Sequence, residues 1–66
     1  MKLTVNGEPH ELDQGATVAD LLAVLELGAG WVVVELNRSV VERLSYESCQ
    51  LADGDVIEIV RAVAGG

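Results

Sequence analysis

Leu3 and Val5 alternate with Lys2 and Thr4, the period of a strand with one buried face. Asn6-Gly7-Glu8-Pro9 follows as turn chemistry: Asn-Gly accepts positive φ, and Pro9 has no N–H for a central ladder. Lys2 to Leu12 therefore reads as a hairpin whose short return strand turns Leu12 inward. Val18, Leu21, Leu22 and Leu25 then fall at i, i+3, i+4 and i+7, one face of a helix. Thr17 is placed to cap its start, with Asp20 as the acidic partner of a capping box. Gly28 or Gly30 is placed to end it in a left-handed cap, which predicts a packed helix of about nine residues.

The run Trp31-Val32-Val33-Val34-Glu35-Leu36 is almost wholly apolar and β-branched, the signature of a central strand. Val32, Val34 and Leu36 share one side, and Trp31, Val33 and Glu35 the other. Asn37-Arg38-Ser39 reads as a turn into a short edge strand over Val40–Leu44. Ser45–Cys49 fits a loop or one helical turn with Ser45 as its cap. Ala52-Asp53-Gly54-Asp55 is a tight turn, and Val56–Ala62 is the last strand. Ile57 and Ile59 face one side of that strand, and Val56, Glu58 and Val60 the other.

One helix covers only one face of such a sheet. It meets Leu3, Val5, Leu12, Val34, Leu36, Ile57 and Ile59, and Trp31, Val33, Val56 and Val60 are left among polar residues on the open face. The expected class is α+β, a mixed four- to five-stranded sheet with one main helix on one face. The order fits a β-grasp (ubiquitin-like) arrangement, with the first and last strands side by side and parallel at the sheet centre. A ferredoxin-like fold needs a second long helix that the sequence does not offer. The folded domain is expected over residues 1–62, with a flexible tail over 63–66.

Composition narrows the function. The chain has 66 residues, half of them hydrophobic, enough for one small core. Four basic residues stand against eleven acidic ones, for a net charge of -7. Such a surface repels phosphate backbones and anionic lipid, so neither nucleic acid nor membrane is an expected partner. A protein with a basic docking surface fits better, although acidity also simply keeps a small protein soluble. Cys49 is the single cysteine, so no internal disulfide forms, and a cytoplasmic location is expected. No signal peptide and no membrane-spanning run is read in the sequence.

Candidate chemistry is sparse. His10 has no second ligand at metal-binding spacing, so no metal site is expected. Cys49 lacks a CxxC partner or nearby histidine and reads as a small apolar residue. Asp53 and Asp55 flank Gly54 as ordinary turn residues. The glycines form neither a dinucleotide fingerprint nor a P-loop. An enzyme is not expected, and two features remain. The open face offers Trp31, Val33 and Val60 as a docking patch. The tail Val63-Ala64-Gly65-Gly66 is thin and reaches about 13 Å when extended, enough to thread a channel. Its terminal carboxylate, once activated by ATP as an acyl-adenylate, can be converted by a sulfur nucleophile to a thiocarboxylate.

The stretches VNGEPHEL, GATVADLL, VVVELNRSVVER and LADGDVIEIVRAVAGG, in this order and over essentially the full length, resemble the ThiS family. These are sulfur carriers of thiamine biosynthesis within the ubiquitin-like β-grasp superfamily. The resemblance implies that an E1-like adenylyltransferase (ThiF type) adenylates Gly66, using ATP and magnesium on its own side. A sulfur-relay protein then supplies the sulfur, and a thiazole synthase (ThiG type) takes it into the thiazole ring. On this resemblance Gly66 is the acyl carrier, Gly65 its slim neighbour, and Ala64 follows them into the partner. The carrier itself binds no cofactor. Two alternatives stay open: a carrier serving another client (molybdopterin, cysteine or tRNA thiolation), and a β-grasp interaction module without acyl chemistry.

Overall fold

The computed structural model describes residues 1–28 and 32–61. Five strands and one helix appear in the order β1 (Lys2–Val5), β2 (Glu8–Glu11), α1 (Val18–Val24), β3 (Val32–Leu36), β4 (Ser39–Val41) and β5 (Val56–Arg61). A 3₁₀ turn, Arg43–Ser45, lies between β4 and β5. The sheet order is β2-β1-β5-β3-β4, with β1 and β5 parallel and the other neighbours antiparallel. This is the β-grasp order expected from the sequence, with five strands.

Two-residue turns set the register of both hairpins. Asn6 and Gly7 have φ of 51° and 81°, and Asn37 and Arg38 have φ of 49° and 71°. Positive φ at both central residues is the type I′ turn, whose twist matches the flanking strands. The turns are shorter than their sequence signatures, so Glu8 and Pro9 belong to β2 and Ser39 opens β4. Pro9 is tolerated because β2 is an edge and Thr4↔Pro9 alternates with the hydrogen-bonded pairs, leaving the missing N–H on the solvent side. Leu12 lies just past β2, half-buried against the core, and its N–H donates to Met1 O at 3.1 Å.

The start of α1 is fully satisfied. Thr17 Oγ1 accepts from Asp20 N–H at 3.2 Å, and Asp20 Oδ2 accepts from Thr17 N–H at 2.9 Å, completing the capping box. Two further orphan donors find carbonyls in the excursion before β5. Val18 N–H donates to Cys49 O and Ala19 N–H to Tyr46 O, at 3.0 and 2.9 Å.

The helix ends earlier than expected and without glycine. It stops at Leu25, and Glu26 takes the left-handed conformation with φ of 58°. Glu26 N–H donates to Ala23 O and Leu27 N–H to Leu22 O, which is a Schellman motif. Leu27 then packs on the core beside buried Leu22. Anchoring Leu27 there fixes the stop, so the left-handed residue is Glu26 and not Gly28, and the helix has seven residues.

The core joins Val18, Leu21 and Leu22 of α1 to Leu3, Val5, Val34, Ile57 and Ile59 of the sheet. Leu25 and Leu36 pack against it partly buried. Tyr46 and Leu51 complete it, and neither is signalled by periodicity. Tyr46 is 4% exposed and its hydroxyl donates to Val32 O at 3.3 Å. Ser45, expected as a cap, instead ends the 3₁₀ turn. Glu42 stands at its cap position without a side-chain bond, while Ser45 O accepts from Ser48 and Cys49 N–H.

Three outcomes follow for stability. Glu26→Gly removes the left-handed penalty and should stabilise the fold by about 1 kcal/mol, raising the melting temperature by about 4–8 °C. Gly28→Ala should be nearly neutral in the same thermal melt, because Gly28 has no positive φ and open space around a new Cβ. Asn6→Ala should cost about 2–3 kcal/mol in urea unfolding. Asn6 is left-handed, and its side chain bonds both the N–H and the C=O of Ile59, at 2.8 and 3.2 Å.

Candidate functional site: the open sheet face and the end of β5

Strand alternation places Val33 and Glu35 of β3 and Val56, Glu58 and Val60 of β5 on the face away from the helix. Their burial pattern agrees. Val34, Ile57 and Ile59 are buried, while Val33, Val56 and Val60 are 44%, 48% and 61% exposed. Val33 and Val60, both expected as docking residues, are directly opposite each other in the ladder. Val40, 64% exposed, joins them because the two-residue turn pairs it with Glu35. Reading the turn as Asn37-Arg38-Ser39 hides this register, whereas Asn37-Arg38 alone would reveal it.

The rows of this face run across β5, β3 and β4. Val60 and Val33 form one row, Glu58, Glu35 and Val40 the next, and Val56 lies two residues before Glu58. Two carboxylates thus stand directly opposite each other on adjacent strands, with Cβ atoms about 4.5–5.5 Å apart, an arrangement that by itself destabilises a sheet.

β5 is held firmly where it bears these residues. Thr4 N–H donates to Asp55 O and Asn6 N–H to Ile57 O, at 3.0 and 2.9 Å. The two aspartates of the preceding turn serve the backbone. Asp53 Oδ1 accepts from Lys2 N–H at 2.6 Å, and Asp55 Oδ2 accepts from Ala52 N–H at 2.7 Å. Asp55 Oδ1 also accepts from Asn37 Nδ2 at 3.0 Å. Gly54 takes φ of 89° in this turn, and its N–H donates to Lys2 O at 2.7 Å. The strand ends at Arg61, five residues before Gly66 in the sequence. Trp31, Ala64, Gly65 and Gly66, and with them the expected tail over 63–66, lie outside the described residues.

Elsewhere the described residues offer little chemistry. His10 pairs with Leu3 in register and is half-buried, more enclosed than an exposed strand end. Cys49 is half-buried against the core. Among the described residues, no three His, Cys, Asp or Glu side chains gather as a metal site. Two open depressions of about 280 Å³ each, one beside His10 and one beside Asp13 and Asp20, include neither Val33 nor Val60. No helix of the described residues is long and apolar enough to cross a membrane.

Comparison with known proteins adds the family. The ThiS family model matches residues 3–66. The chain is 41% identical over 66 residues to a thiazole synthase of Magnetococcus marinus, covering all of this chain and 20% of that protein. It therefore spans about a fifth of that relative's length. It is 44% identical over 50 residues to the sulfur carrier protein ThiS of Bacillus subtilis, covering 76% of each. The crystal structure of the thiamine biosynthesis protein ThiS from Geobacter metallireducens superposes with a TM-score of 0.84 at 39% identity, covering all of both chains. With the strand order, the open face and a family match running through both final glycines, the chain belongs to the ThiS family.

Proposed function

We propose that this protein carries sulfur for thiazole formation in thiamine biosynthesis, as a thiocarboxylate on Gly66. The observation that carries the reading is the family match, which continues past β5 to include Gly65 and Gly66. As a member of this family the chain is a carrier and not a catalyst, so the chemistry belongs to its partners.

The steps follow from the reactivity of a carboxylate. Oxide is a poor leaving group, so the Gly66 carboxylate must first be activated. An E1-like adenylating enzyme holding ATP and magnesium joins the carboxylate to AMP and releases pyrophosphate. A persulfide of the relay protein attacks the acyl carbon and AMP leaves, giving an acyl disulfide; a second donor thiolate then attacks the donor sulfur, which frees the thiocarboxylate and leaves a disulfide on the donor. The terminal sulfur is soft, anionic and nucleophilic at neutral pH. A thiazole synthase then accepts that sulfur, and the carboxylate is restored for another round.

Each element of the protein has a part in this scheme. Gly65 and Ala64 keep the end slim enough to enter an active site, since any larger side chain widens it. Val33 and Val60 give the partner an apolar contact on the strands that precede the last residues. Partnership with a thiazole synthase is supported by the Magnetococcus marinus relative, in which a region similar to this whole chain is part of a protein of that name.

Intact mass spectrometry tests the reading. The protein is incubated with the E1-like enzyme of the same cell, ATP, magnesium and a sulfide source. Exchange of one oxygen for sulfur is expected, and it should vanish when Gly66 is deleted or when one residue is appended after it. An unchanged mass, with an enzyme that thiolates another carrier in parallel, would overturn the proposal.

A further inference from the structure

We propose that Asn6 is a modification site: its deamidation through Gly7 is held off by the native turn and, once it occurs, irreversibly opens the clamp on β5. Such a site is independent of the carrier chemistry above.

The reactivity comes from the dipeptide. The chain has two asparagines, Asn6 and Asn37, and only Asn6 precedes a glycine. The backbone nitrogen of Gly7, on losing its proton to hydroxide, attacks Cγ of Asn6. The new N–Cγ bond closes a five-membered imide, the Cγ–Nδ2 bond breaks, and Nδ2 takes a proton and leaves as ammonia. Water then opens the ring. Addition at Cγ gives aspartate, and addition at the backbone carbonyl gives isoaspartate, in which the chain runs through Cβ and Cγ. One water is consumed and one ammonia released, with no change of oxidation state. Gly7 has no side chain to hinder the attack, and both residues are exposed to solvent.

The folded geometry closes this route. Asn6 and Gly7 are the two central residues of a type I′ turn, with φ of 51° and 81°. Ring closure requires Gly7 N to eclipse Cβ about the Cα–C bond of Asn6. In a type I′ turn ψ of the first central residue is about 30°, which puts Gly7 N and Cβ on nearly opposite sides of that bond. The side-chain amide is also tied down. Ile59 N–H donates to Asn6 Oδ1 at 2.8 Å, and Asn6 Nδ2 donates to Ile59 O at 3.2 Å. Rotating Asn6 into the ring geometry breaks the turn that joins β1 to β2, and the clamp with it. Deamidation therefore proceeds from opened molecules.

The product cannot restore the clamp. Aspartate at this position still accepts from Ile59 N–H, but it turns a second acceptor toward Ile59 O, where a donor stood. Isoaspartate adds a backbone carbon to a two-residue turn, which disturbs the register of the hairpin. The β1–β5 ladder pairs only Thr4 with Val56 and Val5 with Ile57, so it has little else to hold it at this end. Asn37 supplies the contrast. It too is left-handed, with φ of 49°, and its Oδ1 accepts from Val56 N–H on β5 at 2.9 Å. Arg38 follows it, and a side chain there obstructs the attacking nitrogen.

The test is peptide mapping by mass spectrometry of the full-length protein, incubated at mildly alkaline pH in native buffer and in urea. In urea, Asn6 should gain the mass of an amide-to-acid exchange at least about tenfold faster than Asn37, because glycine leaves the attack unhindered. In native buffer the Asn6 rate should fall at least about tenfold, since only opened molecules react. The deamidated chain, separated and refolded beside an unmodified control, should melt at least about 4 °C below that control, and the recombinant Asn6→Asp variant should melt below the wild type by a similar margin. A deamidated chain that fails to refold where the control succeeds is the stronger form of the same result. Like rates for Asn6 and Asn37 in urea would overturn the proposal, as would a native rate within twofold of the unfolded one. So would a deamidated chain or an Asn6→Asp variant that melts with its control.

Discussion

Everything else in this fold hangs on the parallel pairing of β1 with β5. These strands come from opposite ends of the described chain and meet in the middle of the sheet. The ladder is short, so side chains extend it at both ends. Asp53 holds the backbone of Lys2 at one end, and Asn6 holds both polar groups of Ile59 at the other. The helix packs across this junction, with Leu21 and Val18 fully buried over Leu3, Val5, Ile57 and Ile59. A chain of this size has little core to spare, so loss of the central pairing would leave two hairpin-like halves without a shared interior.

The same constraint organises function. Pairing with β1 on one side and β3 on the other makes β5 the central strand of five. Ile57 and Ile59 commit its inner face to the core, which leaves Val56, Glu58 and Val60 facing outward. Gly65 and Gly66 come four and five residues after the end of that strand in the sequence. The outward face is thus a firmly held apolar and acidic surface. In the proposed scheme recognition belongs to the sheet and reactivity to the last residues.

Much of this was legible from the sequence, because period-two and period-3.6 patterns are local. Leu3, Val5, Val34, Ile57 and Ile59 fall inward by alternation, and Thr17 with Asp20 announces the helix start. What escaped the pattern was set by distant contacts. Tyr46 and Leu51 are core residues in an irregular excursion, placed by a hydroxyl bond to Val32 and a backbone bond to Ala16. Glu26 accepts a left-handed conformation because Leu27 is needed on the core, against the expectation of glycine there. Asn6 looks like a plain turn residue, and its bonds to Ile59 span 53 positions. On the open face, the outward placement of Val33 and Val60 is legible from alternation alone. Val40 and the Glu35–Glu58 opposition needed the register that the two-residue turn fixes. The proposed role of the tail rests on its slim residues and terminal carboxylate, and its assignment to Gly66 in thiamine biosynthesis rests on the resemblance.

The central claim is that β5 is the most firmly held element, fixed by β1 and by the Asn6 clamp. Native-state hydrogen exchange measures this directly. The amides of Thr4, Asn6 and Ile59, which bond to Asp55 O, Ile57 O and Asn6 Oδ1, should exchange only through global unfolding. Their exchange free energies should then equal the stability from denaturant unfolding, roughly 3–10 kcal/mol for a chain of this length. Ile59 exchanging several kcal/mol below that value, while the amides of α1 remain protected to the global limit, would contradict the account.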